Sequence, residues 1–187
     1  KLPCRVNVVG ADGNFYEPEQ NTLKEHTYNS EWPDAGWGNR PLRAPVRYLG
    51  RPFYTTGEFA VTVPSGAVRV EVWKGFEYRP ESLTTFVSAS QTRQVKIELA
   101  KTAPAAEHGY WSGDPHIHLQ RRGDEDQARI FNLLECEDTH FGTVLAYNEP
   151  AGPYKGLMNH LDSPQLFGLG RRSIATRGEY SIISGQE

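Results

Sequence analysis

Hydrophobic and polar residues alternate along several short stretches in the first half of the chain. The alternating stretches are residues 59–63, 68–72 and 95–99. A period of two residues is typical of strands that bury one face, and Pro-Ser-Gly at residues 64–66 marks a turn between two of them. Shorter apolar runs at residues 4–9 and 84–87 predict two further strands. This pattern predicts an antiparallel β-sandwich over residues 1–100.

A long polar stretch interrupts this pattern between Glu17 and about Pro52. A structureless loop of this length is unusual in a compact domain, so we expect a packed excursion anchored by Trp32 and Trp37. A binding role for these two tryptophans is the alternative.

The second half follows a different pattern. From Asp124 to Asp138, apolar residues recur at intervals of three and four, which predicts a helix whose first turn is capped by Asp124. The run from Phe141 to Ala146 predicts a buried strand of a parallel sheet, and residues 180–184 predict another strand after a long loop over 149–178. With the strand proposed below at residues 116–118, this order is a βαβ unit.

The change of pattern predicts two domains. A linker rich in small residues occupies positions 101–107, so we place the boundary between residues 103 and 104. The first domain is then 1–103 and the second is 104–187.

Composition and charge exclude some function classes. The 187 residues carry a net charge of −3 with no Lys/Arg cluster longer than a pair, so there is no electrostatic footprint for nucleic acid. No apolar run approaches the length of a membrane span. Cys4 and Cys136 could form at most one disulfide, but Cys136 falls in the predicted helix, which favours a buried free thiol.

The candidate chemistry centres on His116 and His118. If these residues form a strand, both imidazoles lie on one face while Ile117 points into an apolar layer. Two neutral imidazoles aimed at one point suit Zn, Mn or Fe ions. Asp114 is close enough to orient a ligand histidine, or it merely caps a turn.

The third predicted strand ends in Gly185-Gln186-Glu187. Successive parallel strands bring their carboxyl ends to one rim, so Glu187 is a candidate third ligand beside the two histidines. The alternative is that Glu187 belongs to a frayed end.

Three other polar residues near these strands are candidates for binding or structural roles. Arg121 and Arg122 follow the histidine strand and could pair with an anionic substrate group, or they could lie exposed to solvent. His140 lies before the apolar strand, at the end away from the proposed rim, which favours a structural role.

Two family resemblances follow from these motifs. Residues 57–80, GEFAVTVPSGAVRVEVWKGFEYRP, and residues 91–100, QTRQVKIELA, resemble the transthyretin-like or carboxypeptidase-regulatory-like β-sandwich. The segments SGDPHIHL (112–119), LLECEDTHFGTVLAYNEP (133–150) and IISGQE (182–187) resemble the opening of a polymerase-and-histidinol-phosphatase (PHP) domain of the carbaryl-hydrolase-like (CehA/McbA) branch.

The second resemblance implies a distorted (β/α)₇ barrel, a cluster of divalent ions and hydrolysis of a small-molecule ester. By position it makes His116, His118 and Glu187 the metal ligands. The domain style and the absent initiator Met lead us to expect a periplasmic or secreted protein, while the oligomeric state stays open.

The chain departs from the PHP pattern in two ways. Ala146-Tyr147 stands where many PHP domains carry an Asp-His pair, and the predicted strands are too few to close a barrel. We therefore expect a fragment of a longer enzyme that is itself inactive. The alternative is a non-catalytic β-sandwich interaction module attached to a degenerate PHP-like scaffold.

Overall fold

The computed structural model describes residues 1–21, 23, 52–117, 119, 121–146 and 167–186. The chain divides into two compact units, Lys1–Pro104 and Ala105–Glu187. The described residues form one β-sheet in each unit.

The sheet of the first unit is antiparallel. Its strands are β1 (Cys4–Val9), β2 (Phe15–Tyr16), β3 (Phe53–Thr55), β4 (Gly66–Trp73) and β5 (Glu81–Val87). One edge of β1 pairs with β4, which pairs in turn with β5, and the other edge of β1 pairs with β2 and β3. The antiparallel sheet predicted for this half of the chain is confirmed.

Alternate side chains of this sheet form the core of the first unit. Val68, Val70 and Val72 of β4 are buried, as their spacing predicts. The other buried members of this core are Cys4, Val6, Val8 and Phe53.

Two of the predicted strands differ from the structure. Residues 59–63 and 95–99 lie outside every strand, although alternate side chains in both segments pack against the core. The packed side chains are Val61, Val63, Ile97 and Leu99. Alternation reports which side chains are buried, whereas a strand also requires a hydrogen-bonded neighbour that the local sequence does not specify. The complete sandwich therefore stays a prediction.

Most of the polar stretch, with Trp32 and Trp37, lies outside the described residues.

The second unit combines a mostly parallel sheet with a helix. Its elements are β6 (Gly113–Ile117), α1 (Asp124–Cys136), β7 (Phe141–Ala146), β8 (Ala175–Arg177) and β9 (Tyr180–Gln186). The described residues of this unit also include two short 3-10 helices, at Ala105–His108 and Gly170–Ser173. β7 lies between β6 and β9 and is parallel to both, which confirms the parallel pairing predicted from the sequence.

The last residues of the predicted long loop over 149–178 form a strand in the structure. Residues 175–177 form β8, which pairs antiparallel with β9. The connecting turn contains Gly178 with a φ of +59°, as a two-residue hairpin with glycine in the first central position requires. Residues 147–166 lie outside the described part of the chain.

The helix packs on one face of this sheet through a continuous apolar core. Its buried members are Ile117, Ile130, Phe131, Leu134, Val144 and Ile182. Gly142 of β7 permits this close packing, because a Cβ atom there would lie 2.9 Å from Cδ1 of Ile117 and 3.3 Å from Cδ1 of Leu134.

The predicted cap of α1 is wrong. The N-cap residue is Gly123, so Asp124 is the first helical residue rather than the cap. Asp126 of the first turn instead accepts the backbone N–H of Arg122 at 2.9 Å. Among the helices in the described residues, none is long and apolar enough to cross a membrane.

Both cysteines carry free, buried thiols, which confirms the prediction for Cys136. Burial raises the pKa of the Cys4 thiol to about 11, against the opposing charge of Lys74.

We expect a disulfide-exchange reagent at pH 8 to label neither thiol in the folded protein over minutes, because both thiols are buried. In addition, roughly one Cys4 in a thousand is a thiolate at that pH. Unfolding without reductant should release both thiols. Rapid labelling of the native protein, or no labelling after unfolding, would contradict this arrangement.

Candidate metal centre

Strand β6 carries the first of the predicted ligands. Ile117 is buried in the core beneath α1, as predicted, and the preceding His116 is exposed. Oδ1 of Asp114 accepts the backbone N–H of His116 at 2.9 Å. The Asp114 carboxylate therefore fixes the main chain of His116 in an Asx-type turn, which is the contact expected of a turn-capping aspartate.

β6 is less regular than the histidine spacing assumes. Asp114 pairs with Gly142 and Ile117 pairs with Val144, so two residues of β6 face one residue of β7 between these pairs. An extra residue of this kind is a β-bulge, and bulges are common beside functional sites because they re-aim side chains. His118 lies outside the described residues, so the common direction of the two imidazoles stays a prediction.

The three parallel strands end at one edge of the sheet. At that edge, Ile117 pairs with Val144, and Ala146 pairs with Gln186. In the sequence, His118 follows β6 directly and Glu187 follows β9 directly. The side chains of His118 and Glu187 lie outside the described residues, and so does that of Ala146. The predicted ligands therefore belong to strand ends that the structure brings to a common edge.

β9 ends in Gly185-Gln186, and the glycine has a steric role. A Cβ atom at Gly185 would lie 2.8 Å from Cγ2 of Thr143 and 2.9 Å from Cδ2 of Leu145. Any larger residue at position 185 would displace these β7 side chains beside the end of β9.

Arg121 occupies the interior of the second unit and is only 1% exposed. Its Nη1 donates to Oγ of Ser184 at 2.8 Å, and its Nε and Nη2 donate to Oε1 of Gln127 at 3.2 and 2.6 Å. The guanidinium also lies 4.4 Å from the ring centre of Phe167. Desolvation by burial lowers the pKa of Arg121 to about 10.

The two arginines therefore differ in environment. The solvent-exposed alternative is wrong for Arg121, whose guanidinium is held by protein groups. Arg122 is exposed and pairs with Asp126 at 3.1 Å. The sequence points to Gln127 only as part of the helix start, three residues after Asp124, and gives no signal for Ser184. Nothing local could have identified Ser184, because 63 residues separate it from Arg121.

A packed cluster of side chains around His140 lies at the opposite ends of the same strands. His140 is buried, and its Nδ1 lies 2.9 Å from Oγ of Ser112. The His140 ring stacks on Tyr180 and meets the ring of Trp111 edge to face. The backbone of His140 also donates to the carbonyl oxygen of Ser112 at 3.0 Å and accepts from Ser181 at 2.7 Å. These contacts are those of a packed structural residue.

The described residues contain no group of three His, Cys, Asp or Glu side chains that could hold a metal ion by themselves. They do form an open cavity of about 510 Å³ in the first unit, lined by polar residues such as Asn21, Tyr54 and Glu58. This cavity belongs to a different unit from the candidate ligands.

Comparisons of the chain with known protein families, with curated proteins and with solved structures find no match.

Proposed function

We propose that the chain is part of a divalent-metal-dependent hydrolase of the PHP type, CehA/McbA branch, which cleaves phosphoester or carboxyl and carbamate ester bonds. The supporting observation is the parallel arrangement of β6, β7 and β9. In this arrangement β6, which contains His116 and ends just before His118, and β9, which ends just before Glu187, lie on the two sides of β7.

The spacing of these strands suits a metal centre. Neighbouring strands lie about 4.8 Å apart, so β6 and β9 are separated by about 10 Å across β7. Imidazole and carboxylate groups that extend from both sides can meet at one ion, or at two ions about 3.5 to 4 Å apart. The donor set of two imidazoles and one carboxylate fits Zn, Mn or Fe.

The residues of this chain would have separate tasks in such a centre. His116, His118 and Glu187 would hold the cation, and Asp114 would fix the main chain on which His116 is carried. A bound cation supplies a hydroxide nucleophile near neutral pH and polarises the ester oxygen. We infer a small-molecule ester as the substrate and a β-sandwich of the carboxypeptidase-regulatory type as the first domain.

A second candidate function is a non-catalytic interaction module. The observation that favours it is Ala146 at the end of β7, where an Asp-His pair would supply further donors in many PHP domains. On this hypothesis the second unit retains the sheet and helix without a working metal cluster.

Metal analysis of the purified 187-residue protein separates the two functions. We expect the wild-type protein to retain Zn, Mn or Fe after dialysis, and the His116→Ala/His118→Ala double variant to lose that metal while remaining folded. His108→Ala is the matched control, because His108 is an exposed histidine of the same unit. Hydrolysis of p-nitrophenyl phosphate, a phosphodiester and carboxyl esters with added Mn²⁺ then tests catalysis. Folded wild-type protein that retains no metal would favour the interaction module. Turnover of any of these substrates would support the hydrolase, whereas its absence is expected of a fragment under both functions.

A further inference from the structure

We propose that Arg121 is a positioning residue that holds the end of β6 at a fixed distance from β9. This inference rests on the proposed function, because the two strand ends it would space are those that lead to the candidate metal ligands.

The hydrogen bond from Arg121 to Ser184 joins two parts of the chain that the sheet itself does not pair. β6 and β9 each pair with β7 and not with each other. Arg121 follows the end of β6 by four residues, and Ser184 lies two residues before the end of β9. The 2.8 Å bond between Nη1 of Arg121 and Oγ of Ser184 therefore links the segment that follows β6 to β9.

Both ends of this link are anchored. Oε1 of Gln127, in the first turn of α1, accepts two hydrogen bonds from the guanidinium of Arg121, which fixes the plane of the group. On the other side, the backbone N–H of Ser184 donates to Oγ of Ser173 at 2.7 Å, and that hydroxyl donates to the carbonyl oxygen of Gly170 at 2.8 Å. The link thus belongs to a network that runs from the helix start to β9.

The irregularity of β6 makes such a link useful. β6 is an edge strand of the four-stranded sheet, and its register with β7 shifts between Asp114 and Ile117. A bulge disrupts the ladder hydrogen bonds, so the ladder alone constrains the end of β6 weakly. Burying a guanidinium is costly compared with burying an apolar side chain of similar size. Directional hydrogen bonds at both ends give the defined spacing that an apolar side chain would not.

The experiment compares Zn²⁺ affinity among folded variants of the whole chain. Arg121→Gln removes the link, and Arg129→Gln is the control, because Arg129 carries the same charge on α1, 3.6 Å from Asp126. Competition with a chromophoric chelator gives the Zn²⁺ dissociation constant, and the absorption spectrum of the Co²⁺ form reports the geometry of the ligands. Circular dichroism at the working temperature confirms that each variant is folded.

We expect Arg121→Gln to weaken Zn²⁺ binding by about 10- to 100-fold, the range found when groups that orient metal ligands are removed. The Co²⁺ spectrum should change as well, which a general loss of stability would not cause in folded protein. Arg129→Gln should stay within about twofold of wild type. Arg121→Lys should recover part of the affinity, since an ammonium can reach one of the two acceptors.

Three results would overturn the inference. Wild-type affinity and an unchanged Co²⁺ spectrum in Arg121→Gln would show that the link does not position the ligands. If Arg121→Gln does not fold, Ser184→Ala removes the same bond, and wild-type affinity in that variant would count equally against it. If the wild-type protein itself binds no Zn²⁺, the proposed function fails together with the inference, and this outcome differs visibly from the first two.

Discussion

Replacing His140 by alanine is expected to lower the free energy of unfolding by about 3 kcal/mol. His140 is 2% exposed, and its ring lies 5.3 Å from the parallel ring of Tyr180 and 4.8 Å from the ring of Trp111. Alanine would leave a cavity between these two aromatic side chains. It would also remove one of the partners of the Ser112 hydroxyl, the imidazole Nδ1 that lies 2.9 Å away.

The hydrogen bonds of Ser112 indicate why this histidine is structural. The Ser112 hydroxyl donates its hydrogen to the carbonyl oxygen of Asp138, so it is an acceptor toward Nδ1 of His140. The serine is therefore not hydrogen-bonded to a base that could remove its proton, as a catalytic nucleophile would be. The buried imidazole donates a hydrogen bond to Ser112, and this bond connects the residue before β6 to the residue before β7.

Urea denaturation followed by circular dichroism measures the His140 effect, with His108→Ala as the control at an exposed position. The control should change the free energy of unfolding by less than about 0.5 kcal/mol. At a temperature where His140→Ala is folded, its metal content should match that of the wild-type protein. A stable His140→Ala protein that had lost its metal would instead place His140 among the ligands.

The parts of the fold that could be predicted are those governed by local periodicity. The burial of alternate residues in β4 and the three- and four-residue spacing in α1 follow directly from the geometry of a strand and a helix. The parallel pairing of β7 with β9 followed from the order of the elements. Residues 59–63 show the limit of this reasoning, because their side chains alternate as predicted while their backbone lies outside any strand.

The candidate site was predictable only in part for a related reason. His116 and Ile117 were assigned to a strand from their own neighbours, and the structure places Ile117 in the core as expected. The bulge in β6 includes Pro115, which has no N–H for the ladder and is a local signal for such an irregularity, but the register with β7 on either side depends on how the two strands meet. The burial of Arg121 depends on Ser184 and Gln127, whose hydroxyl and amide are ordinary surface groups in most sequences.

The helix–sheet core of the second unit should be the most sensitive part of that unit to a loss of side-chain volume. Ile130 is fully buried at 0% exposure on the face of α1 that packs against β6, β7 and β9. Ile130→Ala removes a buried side chain from the core that also contains Ile117 of β6, Val144 of β7 and Ile182 of β9. We expect the free energy of unfolding to fall by about 4 kcal/mol, from the lost burial and from the cavity that remains.

Ile174→Ala is the matched control, since it makes the same chemical change at a residue of the same unit that is 53% exposed. Its effect should stay below about 1 kcal/mol. Urea denaturation of both variants, followed by the helical circular-dichroism signal, should show a lower midpoint for Ile130→Ala at an unchanged slope. If the second unit holds Zn²⁺ as proposed, Ile130→Ala should also bind it more weakly near its unfolding midpoint, because Ile117 at the end of β6 belongs to this core. Equal destabilisation by the two alanine variants would mean that α1 does not pack on the sheet as described.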